Sequence, residues 1–363
     1  MKNSNKVQRE FERILDRYFK EVMADHPVIA NELGLRSGEG KLGNVGLVFE
    51  RRQEKRRCRT LGELDQLAVN ELTGEQHLDR LALRAQLLAE CEDFARGKHV
   101  LEPDAVDFVF GVLLHELQRG EDEPSRARRN IRGILKETPR YLSCAARMIG
   151  RPERVWRRIM QQTVNGAEPM YVALADFLGE GDLKAIFATR QAVGKYSAKV
   201  MALPLAPRNS FAVGAQVLQR RVRDELGLDY TLSQVEELAL SEADRVGALL
   251  KKACAQHGKK RSVEGIIAKA RAAWKLKGNL LDVYRQETSR VAKGFKAAKA
   301  VTFPKGDELQ IRLVPNFLRH LYPTAAYSSP GPFEKRQRGI FWVNDLSLTK
   351  TSREEKLSEV QQH

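Results

Sequence analysis

A mainly α-helical fold, with a large helical array followed by a small β-sheet near the C-terminus, is predicted by three features of this 363-residue sequence. Apolar residues recur every three or four positions through most of the first three hundred residues, which places them on one face of a helix. Helix-start chemistry stands in front of several of these stretches. After Ala300 the apolar period changes to two, the spacing of a half-buried strand. Two regions follow: a helical one over 1–300, and one over 301–363 with a small sheet and the start of a further helix.

Val7, Phe11, Ile14, Leu15, Tyr18, Phe19 and Val22 share one stripe of a first helix, which ends near His26-Pro27. A second covers Val28 to Leu33 and stops at Gly34. The leucines between 60 and 97 predict two helices broken near Thr73-Gly74, and Asp104 to Leu117 is a more apolar one. Thr138-Pro139 reads as an N-cap followed by a first-turn proline, because a proline there loses no hydrogen bond. Further helices run over about Pro152 to Val164 and after Pro169. Thr231 with Gln234 forms a capping-box pattern, and Ser262 opens another helix. Leu309, Ile311 and Leu313 alternate with polar residues as a first strand, a Pro- and Ser-rich loop follows, and Ile340 to Val343 is the second strand. Thr351 and Ser352, each with a glutamate three residues on, begin the final helix.

The formal charge of +15 raises the question of a polyanion partner. The basic clusters around Arg51–Arg59, Arg126–Arg132, Arg154–Arg158 and Lys251–Arg261 are interrupted at helical spacing by acidic or apolar residues, so they read as solvated helix faces and nucleic acid is not expected. No segment has the roughly 20 uncharged residues of a membrane span, and the N-terminal stretch has no apolar targeting core. A cytoplasmic location is expected. Cys58, Cys91, Cys144 and Cys254 show no C-x-x-C spacing and are read as reduced thiols.

No complete active site is legible. Gly38-x-Gly40-x-x-Gly43 lacks the preceding strand and following helix that dinucleotide binding requires, and reads as a flexible loop. His115-Glu116 begins a zinc-protease pattern, but Arg119 stands where the second histidine belongs. The other histidines are scattered singly. The remaining candidates for ligand contact are Tyr327, Phe341, Trp342 and Asn344, unless Phe341 and Trp342 simply cover the two faces of the sheet.

The segments HPVIANELGL, TPRYLSCAARMIGRPERVW, SFAVGAQVLQRRVRDELGLDYTLSQVEELALSEADRV and VTFPKGDELQIRLVPNFLRHLYPTAAYSSPGPFEKRQRGIFWVN occur in an order that resembles the bacterial family called domain of unknown function 885. That resemblance implies a zincin-like fold and a zinc metallopeptidase activity. It also implies a motif His-Glu-x-x-Pro-Gly-His-His after the last strand, which this sequence does not contain. The chain is accordingly expected to be the N-terminal portion of such a peptidase, inactive alone, with no catalytic residue, no metal ligand and no cofactor of its own. Zinc is expected only in a full-length relative, and a separately encoded C-terminal half is the expected partner. By the same resemblance Tyr327, Ile340, Phe341, Trp342, Val343 and Asn344 line a peptide groove. The alternatives are a basic helical protein binding nucleic acid or another polyanion, and a noncatalytic scaffold.

Overall fold

Among the described residues eleven helices build the first of two compact units, Met1–Val235, and the small sheet lies in the second, Glu236–His363. The structure is a computed structural model that describes residues 2–210, 212–256, 262–273, 278–303, 306, 308–314, 322 and 324–345. The final helix expected from Thr351 onward lies outside the described residues.

In the first unit the helices are α1 (Lys2–Asp25), α2 (Pro27–Glu32), α3 (Leu47–Asp65), α4 (Gly74–Ala95), α5 (Lys98–Leu101), α6 (Ala105–Arg119), α7 (Pro124–Met148), α8 (Arg154–Asn165), α9 (Glu168–Leu178), α10 (Leu183–Ala202) and α11 (Ala215–Asp224). α7 packs between α6 and α10. Ile131, Ile134, Leu135 and Leu142 of α7 are buried with Val109 and Leu113 of α6 and Val193 and Val200 of α10. Each fully buried side chain of this kind stabilises by about 1.5–3 kcal/mol. A second cluster joins Phe11 and Ile14 of α1 to Leu64 of α3 and Leu87 of α4. α4 starts at a complete capping box, Thr73 with Gln76.

Proline 139 does not start a helix. α7 runs straight through it, and Thr138 is buried with its Oγ1 donating to Ile134 O at 2.8 Å. The interior proline forfeits a backbone donor, and the apolar face of α7 on both sides of it outweighs that loss. The long helix after Pro169 is two helices, α9 and α10, divided at Gly179, whose φ of +89° ends the first. The glycine-rich segment packs closely against the helices beside it. A Cβ at Gly38 would collide with the Pro27 carbonyl, and one at Gly133 would lie 3.0 Å from Gly40 Cα, so these glycines let the segment seat its backbone on α2 and α7.

α12 (Leu232–Gln256) crosses the division between the units, and its Thr231–Gln234 capping box forms as the sequence predicts. α13 (Val263–Ala273) and α14 (Leu280–Ala297) follow. Strands β1 (Glu308–Leu313), β2 (Ala325–Ser328) and β3 (Arg338–Val343) form one sheet in the order β1-β3-β2, with β1 parallel and β2 antiparallel to β3. The period-two residues begin after 300, but the unit that contains them begins earlier, because α14 covers one face of the sheet. Leu280 is buried there with Ile311 and Val343, and the Tyr284 ring lies tilted 5.7 Å from that of Phe341.

Candidate functional site

The register of the sheet decides what each predicted groove residue can do. Tyr327 is opposite Phe341, and Ala326 is opposite Trp342. Residues directly opposite share a face. Phe341, Val343 and Tyr327 therefore lie on the face that α14 covers, and Ile340 and Trp342 on the other. Trp342 is 1% exposed, and its indole N–H donates to Ser328 Oγ at 2.9 Å. Val343 is fully buried in the α14 cluster. Asn344 is also buried. Its Nδ2 donates to Tyr322 O and its backbone N–H to Thr324 O, both at 2.8 Å, which pins the start of β2 to the end of β3. Among the six predicted residues, only Tyr327, at 56%, is mostly exposed; Ile340 and Phe341 are half-buried.

Because β3 is the central strand, both of its edges are already paired, and an added strand cannot pair with it. Among the described residues β2 is an edge strand. The bond from Asn344 N–H to Thr324 O makes 324 and 344 a hydrogen-bonded pair. In an antiparallel ladder such pairs alternate, so Ala326 and Ser328 also bond to β3, while the backbone N–H and C=O of Ala325 and Tyr327 point away from it. The sequence did not show β2 as a strand, since four residues among Pro and Ser carry almost no pattern.

The His115-Glu116 pair is a structural clamp. Glu116 is fully buried and accepts from Asn31 Nδ2 of α2 and from Arg119 Nη1, each at 2.6 Å, and from Asn130 Nδ2 of α7 at 3.1 Å. Burial raises the Glu116 carboxyl above the ordinary range, opposed by Arg119 and the two amides. Arg119 Nη2 also lies 3.2 Å from His115 Nε2. A guanidinium only donates, so that nitrogen accepts. Burial, with Arg119 and Arg126 nearby, pushes the imidazole down to about 4. The residue that breaks the zinc pattern is the one that completes this network.

The basic clusters around Arg51–Arg59 and Arg126–Arg132 supply cross-links within the first unit. Arg56 and Arg52 both hold Asp25, Arg57 holds Glu90 at 2.8 Å, Arg59 holds Glu21, Arg126 holds Glu39 and Arg132 holds Asp182. Arg128 lies 5.0 Å over the Phe177 ring. Charge satisfied within the fold in this way is less available to a polyanion. A cavity of about 330 Å³ in the first unit is lined by Glu50, Arg57, Asp104, Tyr141 and Tyr196 among others. Burial raises the Glu50 and Asp104 carboxyls there, and sequence spacing offers no signal that they converge.

Among the described residues no helix is long and apolar enough to cross a membrane. Two solved structures share the fold. One is "a putative lipoprotein of unknown function" from Shewanella oneidensis, 16% identical, with a TM-score of 0.68 over 97% of this chain and 67% of that one. The other is "the putative lipoprotein" from Colwellia psychrerythraea, 10% identical, with a TM-score of 0.61 over 96% and 68%. Neither description matches the cytoplasmic location expected from the sequence. No curated protein matches the chain. Residues 27–361 match the family described as bacterial protein of unknown function (DUF885), and the chain belongs to that family.

Proposed function

We propose that this chain supplies the helical body and one groove wall of a zinc-dependent peptidase, and that an extended peptide docks along β2. The observation that carries this reading is the outer edge of β2, where Ala325 and Tyr327 turn a backbone donor and acceptor each away from β3 and the Tyr327 ring is exposed. A peptide added there as a strand would gain main-chain hydrogen bonds from these residues and a side-chain contact from Tyr327. The groove wall is then β2 with the face of β3 behind it, and Trp342, Val343 and Asn344 act as its support.

The zincin-like assignment belongs to this reading. Residues 1–363 hold no His-Glu-x-x-Pro-Gly-His-His motif to bind zinc and activate a water, so in this reading hydrolysis needs that motif supplied from outside them, for example by a separately encoded C-terminal half. The experiment is hydrolysis of a quenched fluorescent peptide by the chain with zinc, alone and mixed with a motif-bearing segment of a family relative. Activity that appears only in the mixture and vanishes with a chelator supports the reading. Zinc-dependent hydrolysis by the chain alone, or none in a mixture that forms a stable complex, overturns it.

A further inference from the structure

α3 and α4 pack side by side and bring together two cysteines, Cys58 and Cys91, that lie 33 residues apart in the sequence. Their sulfurs and a carboxylate oxygen of Glu54 all lie within 4.8 Å of one another. Glu54 and Cys58 are one turn apart on the same face of α3, with Cys58 Sγ 3.6 Å from Glu54 Oε1. The separation has a meaning. A thiolate at about 2.3 Å and a carboxylate oxygen at about 2.1 Å from one tetrahedral cation stand about 3.6 Å apart.

The carboxylate is also oriented for this. Arg57 Nη1 holds the other oxygen, Glu54 Oε2, at 3.4 Å, while Arg57 Nε is engaged with Glu90 at 2.8 Å. Oε1 is thereby left toward the sulfurs, in the way that outer hydrogen-bond partners position metal ligands. Cys58 is exposed and Cys91 half-buried, so a cation reaches them from solvent.

We propose that Cys58, Cys91 and Glu54 form a binding site for a thiophilic divalent cation of the zinc class, with three protein donors and a fourth position for water, tying α3 to α4. The site shares no residue with the peptide groove, and it does not rest on the proposed function. A cysteine ligates a cation as the thiolate, so each of the two must give up its proton to the solvent. Binding therefore exchanges two protons for one cation, with one S–H bond broken and one metal–sulfur bond formed at each cysteine. Sequence reading misses the site because its two sulfurs come from different helices with no short spacing.

The test titrates the reduced full chain with Co²⁺ and then Zn²⁺ without oxygen. One equivalent of cobalt is expected, with thiolate-to-cobalt charge-transfer absorption, release of two protons, and displacement by zinc. Cys58→Ser and Cys91→Ser lose that absorption, Glu54→Gln weakens binding, and Cys144→Ser and Cys254→Ser leave both unchanged. Alkylation of the wild-type chain needs no variant to fold: zinc should shield Cys58 and Cys91 and spare the labelling of Cys144 and Cys254. No charge-transfer absorption, binding that survives both serine variants, labelling indifferent to zinc, or closure to a Cys58–Cys91 disulfide with no metal taken up when reduced would each overturn the proposal.

Discussion

The ring of Tyr327 lies across Gly339. A Cβ at that glycine would stand 2.7 Å from Tyr327 Cε2, so the central strand lacks a side chain where the edge strand's tyrosine leans over it. Tyr327 is opposite Phe341, and Gly339 is its diagonal neighbour on the same face. The tyrosine is therefore held against the sheet while more than half exposed.

Gly339→Ala is expected to force the ring off the strand and destabilise the sheet by about 1–3 kcal/mol, the usual cost of overpacking. Tyr327→Ala should cancel most of that cost. The check is a double-mutant cycle by urea unfolding, with amide exchange of β3 as the local readout. Additive effects would mean that the two residues do not interact.

The buried network around Glu116 should be among the most sensitive points of the first unit. Glu116→Ala leaves the Arg119 charge without its closest carboxylate and strands two amides, which costs about 3–5 kcal/mol. Asn31→Ala removes a donor and an acceptor at once and should cost less. Shifts in the urea midpoint of the two variants measure the difference, and a Glu116→Ala shift no larger than that of a surface substitution would show that the network is dispensable.

His115 gives the first unit a defined acid response. Its folded pKa of about 4 lies below the ordinary 6.5, so as pH falls the unfolded chain takes up the proton first. Stability from this group is complete above about pH 6.5 and lost as pH falls toward about 4, an effect on the order of 3 kcal/mol. The groups that face it, Arg119 and Arg126, stay charged throughout. His115→Gln should flatten stability against pH across that window relative to wild type; parallel curves for the two proteins would contradict the assignment.

Much of the helical body was readable because a stripe such as Phe11, Ile14, Leu15 and Tyr18 states both the helix and its buried face. The exceptions have local causes. Thr138-Pro139 carries a correct helix-start signal that the packing of Ile134, Leu135 and Leu142 overrides. Strands β1 and β3 declare themselves by alternation or by a run of large apolar residues, whereas β2 exists only because β3 offers it hydrogen bonds. That β3 is the central strand was not legible, since nothing in Phe341-Trp342-Val343 says so. Convergent groups from separate helices, such as Cys58 with Cys91, are invisible until α3 and α4 are placed together.

Peptide docking on the edge of β2 is the claim on which the functional account turns, and Ala325→Pro tests it. The substitution removes a backbone donor that points away from β3, so it spares the ladder, and proline is tolerated on an edge strand in that orientation. The measurement is amide hydrogen exchange at β2 in the wild-type chain and the variant, with and without a saturating unstructured peptide. The account predicts that peptide slows exchange at Ala325 and Tyr327 in the wild type, and that Ala325→Pro abolishes binding while β3 keeps its protection. Peptide bound equally well by the variant, or a wild-type β2 edge whose exchange no peptide alters, would contradict it.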